Sequence, residues 1–165
     1  MRHSTLQRRA PFVTAILTIA LAGASFATDV SASSWNGIEP LKTRRDDVVK
    51  IMGQPVSENT DGVMRFNVSG GSVQISFVND KFVASKRLRP ELAGTVLEIV
   101  LQHEHSSATA ESMNLLTNRD FIHDEVRNIS VFRNPKVGMA YTFIDGSLKT
   151  TRYTFEDAQL GRARR

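Results

Sequence analysis

Apolar residues spaced three and four positions apart form the first clear pattern along the chain, and this pattern is helical. Val48, Ile51 and Met52 would lie together on one face of an α-helix, with charged residues around them. A helix of this kind buries its apolar stripe against a core. We therefore predict a helix over 43–52 with these three side chains buried.

Residues at both ends of this segment favour the same helix. Thr43 is predicted as the N-cap, and Asp46 stands at the spacing of a capping box. Gly53 suits the left-handed position that often follows a helix, and Pro55 cannot continue one. The helix is therefore expected to end at about residue 52.

Apolar and polar residues alternate over most of the remaining chain, which is typical of strands with one buried face. The apolar positions of these segments are Met64, Phe66, Val68, Val73, Ile75, Phe77, Phe82, Ala84, Leu97, Ile99, Leu101, Met139, Tyr141, Phe143, Leu148, Tyr153 and Phe155. Val96 and Val100 occupy the other side of the segment 95–103, as expected for a more central strand.

Turn-forming residues between these segments predict hairpins. Residues 69–71 are Ser-Gly-Gly, residues 79–80 are Asn-Asp and residues 145–146 are Asp-Gly. A hairpin at 79–80 would place Phe77 opposite Phe82 on one face. The alternation therefore predicts an antiparallel meander through these turns.

The periodicity is lost over 104–117, where Ser, Ala, Thr and His dominate, and we predict a loop or short helical turn there. The spacing of Thr117 and Asp120 predicts a brief second helix or turn after it. Together the patterns predict an α+β fold. Its antiparallel, meander-rich sheet has about five to seven strands, and the 43–52 helix and the second helix or turn pack on one face.

Residues 1–32 have the organisation of an export signal. Arg2, Arg8 and Arg9 precede an uncharged apolar run over 10–27, and small residues follow at the positions that cleavage requires. The same run is an alternative inner-membrane anchor of marginal length, and the arginine pair also allows a twin-arginine signal. We expect an exported protein, periplasmic or extracellular, with one domain over 33–160.

Composition narrows the class of partner. The formal charge is +4, yet residues 33–160 carry 15 Lys or Arg against 16 Asp or Glu, so no nucleic-acid partner is expected. Residues 161–165 are predicted to form a disordered basic tail. The internal basic cluster of Lys86, Arg87 and Arg89 is either an interaction surface or a solvated strand end.

The chain has no cysteine, which excludes a lipid-anchored lipoprotein, disulfide bonds and thiolate chemistry.

Three histidines are the candidate metal ligands. His103 and His105 stand two residues apart, so on a strand both imidazoles would share a face, and His123, Asp124 or Glu125 could complete the site. His103 also falls in phase with the apolar residues of its strand. This position favours the alternative that it ends a row of buried side chains and is not a metal ligand. Both interpretations remain open at this point.

Catalytic motifs are missing from the sequence. It contains no Gly-x-Ser-x-Gly elbow, no Ser-x-x-Lys pair and no phosphate-binding glycine loop. We therefore expect neither enzymatic activity nor a cofactor. Trp35 precedes the first helix and is either a packing anchor or an exposed contact residue.

Several segments match a known pattern. They are W-N-G-I-E-P-L at 35–41 before the capped helix, R-P-E-L-A-G-T-V at 89–96, and the last hairpin with its Asp-Gly turn. Over about 35–156 the chain resembles a family of uncharacterised exported proteins of the acidobacterial type, although it lacks the Gly-Pro-Cys and Trp-Asn-Val-Pro segments of many members. This resemblance implies export and assigns no catalytic residue.

The helix ending in Gly-x-Pro before a meander is also similar to envelope assembly proteins of the BamE/SmpA type. Those proteins are lipoproteins that bind other proteins, which implies a related architecture here. We accordingly expect a non-enzymatic periplasmic or envelope protein-interaction module, with membrane contact only if 10–27 is retained. The alternative is a small-ligand or metal-binding protein that uses the strand end at His103 and His105.

Overall fold

The computed structural model describes residues 34–164. The predicted signal peptide over 1–32 and its alternative, an anchor over 10–27, lie outside these residues. In chain order the elements are α1 (Arg45–Met52), β1 (Ser57–Glu58), β2 (Met64–Val68), β3 (Gly71–Phe77), α2 (Asp80–Lys86), β4 (Val96–His103), β5 (Ile122–Val126), β6 (Ile129–Asn134), β7 (Met139–Ile144), β8 (Ser147–Thr154) and α3 (Asp157–Ala163). The predicted α+β fold is confirmed, but the sheet has eight strands and the described chain three helices.

All eight strands form one antiparallel sheet in the order β1-β2-β3-β4-β8-β7-β6-β5. Strands β1 to β4 form one meander and β5 to β8 form another, connected by the segment 104–121. The last strands of the two meanders, β4 and β8, pair with each other at the centre of the sheet. Strands β1 and β5 are therefore its two edges.

The first helix is shorter and differently capped than its sequence predicts. Its N-cap is Arg44, which makes no capping hydrogen bond, so the predicted capping box at Thr43 is wrong. The Thr43 hydroxyl instead accepts the backbone N–H of Glu39 at 2.9 Å, which tightens the turn before the helix. Gly53 ends the helix with a positive φ of 80°, but its ψ of −165° lies outside the predicted left-handed helical region.

The buried face of α1 is also rotated from the prediction. Val48 is fully buried, and Val49 and Met52 pack beside it against the sheet. Ile51 is 44% exposed, so its predicted burial is wrong. The face that packs on the sheet is therefore centred on Val48, Val49 and Met52, which lie on one side of the helix.

The predicted hairpin at 79–80 is wrong, because Asn79 begins a helix there. Its side-chain oxygen accepts the backbone N–H of Phe82 at 2.8 Å, which is an N-cap hydrogen bond for α2. Phe82 packs on Phe155, with ring centroids 6.1 Å apart, instead of facing Phe77. Strand β3 pairs with β4 in place of the expected partner.

The predicted phase of β4 fails at its start. The pairing of β3 and β4 shifts register between Ser76 and Phe77, so one extra residue enters the β4 side. Val96 and Ile99 consequently lie in the same buried cluster, although alternation places them on opposite faces. Leu97 packs in a second cluster with α2 and α3.

The region after the long loop is a strand pair that the sequence patterns missed. Residues 104–121 contain neither helix nor strand, and the loop predicted over 104–117 lies within this segment. The turn before β5 is formed by Asn118, whose side chain accepts the N–H of Asp120 at 3.0 Å. Strand β5 follows where a brief helix was an alternative. Every residue of β5 is exposed, so burial imposes no alternation on it.

The predicted disordered tail from residue 161 is wrong through residue 164. Helix α3 includes residues up to Ala163, whose side chain is buried. A capping box between Glu156 and Gln159 begins this helix, and the Gln159 amide also donates to the carbonyl of Pro40 at 2.9 Å. Leu88 then forms an antiparallel bridge with Arg164. These contacts hold the end of the described chain to the domain.

Three clusters of buried apolar side chains hold the helices and the long loop against the sheet. Under α1 lie Ile38, Val48, Met64, Phe66, Val73, Ile75, Val96 and Ile99. Between α2, α3 and the end of β3 lie Leu41, Val78, Val83, Leu88, Leu92 and Ala163. Under the 104–121 loop lie Ala110, Leu115, Phe132, Phe143 and Leu148. Between residues 34 and 164, no helix has the length and apolar character that crossing a membrane requires.

Candidate functional site

The opposite face of the sheet contributes to none of these clusters, and we call it the open face. Directly opposed residues of neighbouring strands share a face, so the register defines one row across all eight strands. From β1 to β5 this row is Ser57, Arg65, Gln74, Val100, Arg152, Ala140, Arg133 and Ile122. None of these side chains is buried.

The open face is apolar at its β5 end. Ile122 is 53% exposed, Val126 69% and Ile129 40%. Val126 opposes Ile129, Ile129 opposes Ile144, and Val131 lies on the same face beside them. We call these five residues the apolar strip. Contiguous exposed apolar side chains on a sheet face are typical of an interaction surface.

A cavity of about 420 Å³ adjoins the apolar strip on the same face. Its walls include Ile122, Val131 and Met139, and Arg133 and Arg152 also line it. The site is therefore a mainly apolar depression with two cationic groups at its border.

Carboxylates on the neighbouring strands orient both arginines. The Arg133 guanidinium forms an ion pair with Asp124 on β5, and its Nε lies 3.1 Å from Asp124 Oδ2. The Arg152 Nη1 lies 3.1 Å from Glu98 Oε1 on β4. The Arg133 pair is about half exposed on both sides, and in the other pair Arg152 is 53% exposed and Glu98 28%, so each pair contributes little to stability. Either arginine could therefore leave its carboxylate and bind an anionic group of a ligand at a small cost in free energy.

Gly138 permits the close approach of two strands beside the cavity. Its φ is +65°, and its carbonyl accepts the N–H of Thr154 at 2.8 Å. A Cβ at this position would overlap the Thr154 carbonyl oxygen and lie 2.9 Å from its carbon. Only glycine therefore fits here without a backbone shift.

Strand β5 presents an unpaired backbone edge. Within residues 34–164 it pairs only with β6, through a two-residue turn at 127–128. A two-residue hairpin closes on a hydrogen-bonded pair, so Val126, Asp124 and Ile122 bond to β6. The N–H and C=O groups of His123 and Glu125 therefore point away from the sheet and are available to an added strand.

The structure does not bring the three predicted histidine ligands together. Strand β4, which ends at His103, is separated from β5, which carries His123, by β8, β7 and β6, a span of roughly 19 Å. Within the described residues no group of three or more His, Asp or Glu side chains is placed to hold a metal ion. The three-histidine site is therefore not formed.

Each histidine has a separate local environment. The Nε2 of His103 lies 2.9 Å from the Thr151 hydroxyl, and burial lowers the pKa of this imidazole. His105 lies outside β4 and borders an open depression with Glu104 and Lys149. The His123 ring stacks on Phe132 at a centroid distance of 4.2 Å.

The remaining candidate residues lie elsewhere. Trp35 packs partly buried against the cluster under α1, as the packing-anchor interpretation expects. Lys86, Arg87 and Arg89 are exposed, but Lys86 is the last residue of α2 and the two arginines follow this helix and not a strand, so the strand-end interpretation is wrong.

The sequence patterns missed the apolar strip, although a signal was present. Residues 122–131 read I-H-D-E-V-R-N-I-S-V, in which apolar residues recur at every second or fourth position around Arg127-Asn128. That spacing indicates a hairpin with one apolar face.

Comparison with known proteins finds no protein family model, no curated protein and no solved structure that matches this chain. The fold and the open face are the observations from which a function is argued.

Proposed function

We propose that this chain is a non-enzymatic exported module that binds an extended segment of another cell-envelope protein along β5. The observation that carries the proposal is one edge strand, exposed over its whole length, beside the apolar strip. An edge strand with free N–H and C=O groups is a template for an added strand. Peptide segments are commonly recognised by this mode of strand addition.

The backbone edge of β5 and the apolar strip would make different contributions to binding of the partner. Backbone bonds to His123 and Glu125 would supply affinity that does not depend on the partner's sequence. Alternate side chains of the added strand would extend the apolar face of Ile122 and Val126, so we expect a partner with apolar residues at every second position. The cavity beside Arg133 would accept a side chain from the same segment.

The partner's compartment follows from the N-terminal pattern. A basic start, an apolar run over 10–27 and small residues after it favour export. An exported partner-binding domain meets periplasmic or extracellular proteins. The same pattern leaves an inner-membrane anchor as the alternative location.

The test is site-specific photocrosslinking of the full chain in cells. A photoreactive residue replaces Glu125 on β5, and a control chain carries it at Glu58 on the opposite edge. We expect one defined adduct from position 125 and none of the same mass from position 58. An adduct with the mass of two copies of this chain, or no adduct from position 125, would refute the proposal.

Two matched double variants test the apolar strip. Ile122→Asp with Val126→Asp should reduce the adduct at least about tenfold, because burying one such side chain contributes about 1.5–3 kcal/mol. Ile51→Asp with Val56→Asp changes two side chains that are 44% and 64% exposed on another part of the surface. This control should retain the adduct, and equal loss in both variants would contradict a role of the strip.

A further inference from the structure

Two basic segments that are distant in sequence meet at one end of the domain. Leu88 and Arg164 form an antiparallel bridge, and the N–H of Arg89 donates to the carbonyl of Ala163 at 3.0 Å. The bridge therefore sets Arg164 beside Arg87 and Arg89. We call the resulting surface the basic end, and its residues are Lys86, Arg87, Arg89, Arg162 and Arg164.

Four of the five charges of the basic end have no carboxylate partner within residues 34–164. All five side chains are exposed. Arg89 has a carboxylate neighbour, Glu91, at 3.8 Å, which is beyond hydrogen-bond distance. In the described part of the chain the other four lie within ion-pair distance of no carboxylate. By contrast, the basic residues bordering the cavity of the open face are paired.

A further arginine lies near this surface. The Arg44 guanidinium donates to the carbonyl of Glu91 at 3.0 Å and is itself exposed. In the sequence, Lys86 to Arg89 form one small cluster and the C-terminal arginines are remote from it. The fold joins them into one surface, so the local charge is far larger than the near-neutral composition of the domain indicates.

We propose that the basic end docks on the surface of an anionic phospholipid bilayer. The charged side chains project outward from the ends of α2 and α3 and line none of the cavities described above. Outward side chains suit a planar array of phosphates better than a single enclosed anion. Basic residues close to an anionic bilayer each strengthen binding about fivefold.

This surface is separate from the edge strand that binds the proposed partner protein. The basic end adjoins β3 and β4 through the cluster that contains Val78 and Leu88. Strand β5 is separated from β4 by three strands. The two proposals can therefore fail independently.

The test measures binding of the purified chain, in the N-terminal form that cells produce, to sedimented lipid vesicles. One set of vesicles is neutral phosphatidylcholine, and the other contains about one third phosphatidylglycerol. We expect tighter binding to the anionic set, and a loss of roughly 100-fold in Arg87→Gln/Arg89→Gln/Arg164→Gln, which removes three charges. Binding should also weaken as salt rises.

The matched control is Arg119→Gln/Arg127→Gln/Lys149→Gln. It removes three charges from other parts of the surface, and Arg127 has the same left-handed backbone as Arg87, with φ of 57° and 54°. All three proteins keep the same N-terminal segment, so its contribution to binding cancels. Near-parental binding of this control supports a localised site, whereas an equal loss in both triple variants would refute it.

Further measurements test whether other anions are the ligand, and whether a loss of binding comes from unfolding of the variant. Inorganic phosphate should compete no better than chloride of the same ionic strength, and selective competition would overturn the bilayer as the ligand. Tighter binding to duplex DNA than to anionic vesicles would also overturn it. Lys86→Gln/Arg89→Gln leaves Arg164 and its bridge unchanged. Its affinity for anionic vesicles should fall roughly 25-fold if charge alone is responsible for binding. Unchanged vesicle binding by this folded double variant would refute the proposal.

Discussion

Replacing Gly138 by alanine should be among the most destabilising single methyl additions in this domain. The new Cβ would overlap the Thr154 carbonyl oxygen and lie 3.1 Å from the carbonyl carbon of Phe155. Both obstacles are backbone atoms, so no side chain can rotate away. Relief requires the start of β7 to separate from the end of β8, which breaks the 2.8 Å bond from Thr154 N–H to the Gly138 carbonyl.

The magnitude follows from three contributions. A left-handed φ of +65° costs a non-glycine residue about 1 kcal/mol. The broken backbone hydrogen bond costs about 1 kcal/mol, and forced backbone displacement about 1–3 kcal/mol. We therefore expect Gly138→Ala to lower the free energy of unfolding by about 3–5 kcal/mol.

Gly146→Ala is the matched control. Gly146 also has a positive φ, of 73°, but among the described residues beyond its two chain neighbours no atom lies within 4 Å of the position of its Cβ. This variant should lose only about 1 kcal/mol, the backbone cost alone. Urea unfolding followed by circular dichroism measures both variants. Equal losses in the two would show that the contact with Thr154 is not tight, and the reasoning would be refuted.

Two other substitutions test the local interactions described above. Burial lowers the pKa of His103, so the unfolded chain binds a proton on this imidazole more readily than the folded protein does. The free energy of unfolding therefore has its full value above about pH 6.5 and decreases as the pH falls through the lowered folded pKa. Unfolding free energies at several pH values should therefore fall more steeply on acidification for the parent than for His103→Gln, and parallel curves would contradict this. Asn79→Ala should lower the free energy of unfolding by about 1 kcal/mol through loss of the α2 N-cap, while Asn79→Asp keeps an acceptor and should stay near the parent; thermal melts that rank the two equally would exclude the cap as the cause.

Alternation predicted the strands whose two faces differ in environment. Met64 and Phe66 are buried and Arg65 between them is exposed, so β2 can be predicted from its residues alone. The last hairpin has a turn at 145–146 in which both residues take positive φ, which Asp and Gly accept readily. In these segments local preference and tertiary burial agree.

The failures have identifiable physical causes. Asn79 suits a hairpin turn and a helix N-cap equally well, and the choice was decided by packing of Phe82 on Phe155, far away in sequence. The bulge near Val96 moves the phase of β4 by one residue, which no local pattern reports. Strand β5 has no buried face at all, so it lacked the signal on which strand prediction depends.

The candidate site was the least predictable part of the chain. Ile122 and Ile144 belong to one surface only because β5, β6 and β7 pair in a particular register. Likewise Arg87 and Arg164 become neighbours through a single bridge between remote segments. Both surfaces are products of topology, so residue type and spacing could identify their members but not their assembly.

The order of strands in the sheet has a consequence for the newly made chain. Strand β8, which joins the two meanders, is the last strand to be synthesised and yet lies at the centre of the sheet. Until it emerges, β4 has no partner on one side and β5 to β7 have no connection to the first meander. A sheet with this arrangement stays incomplete until all eight strands are available. That delay would suit the proposed export, because a chain that cannot fold early remains extended enough for transport.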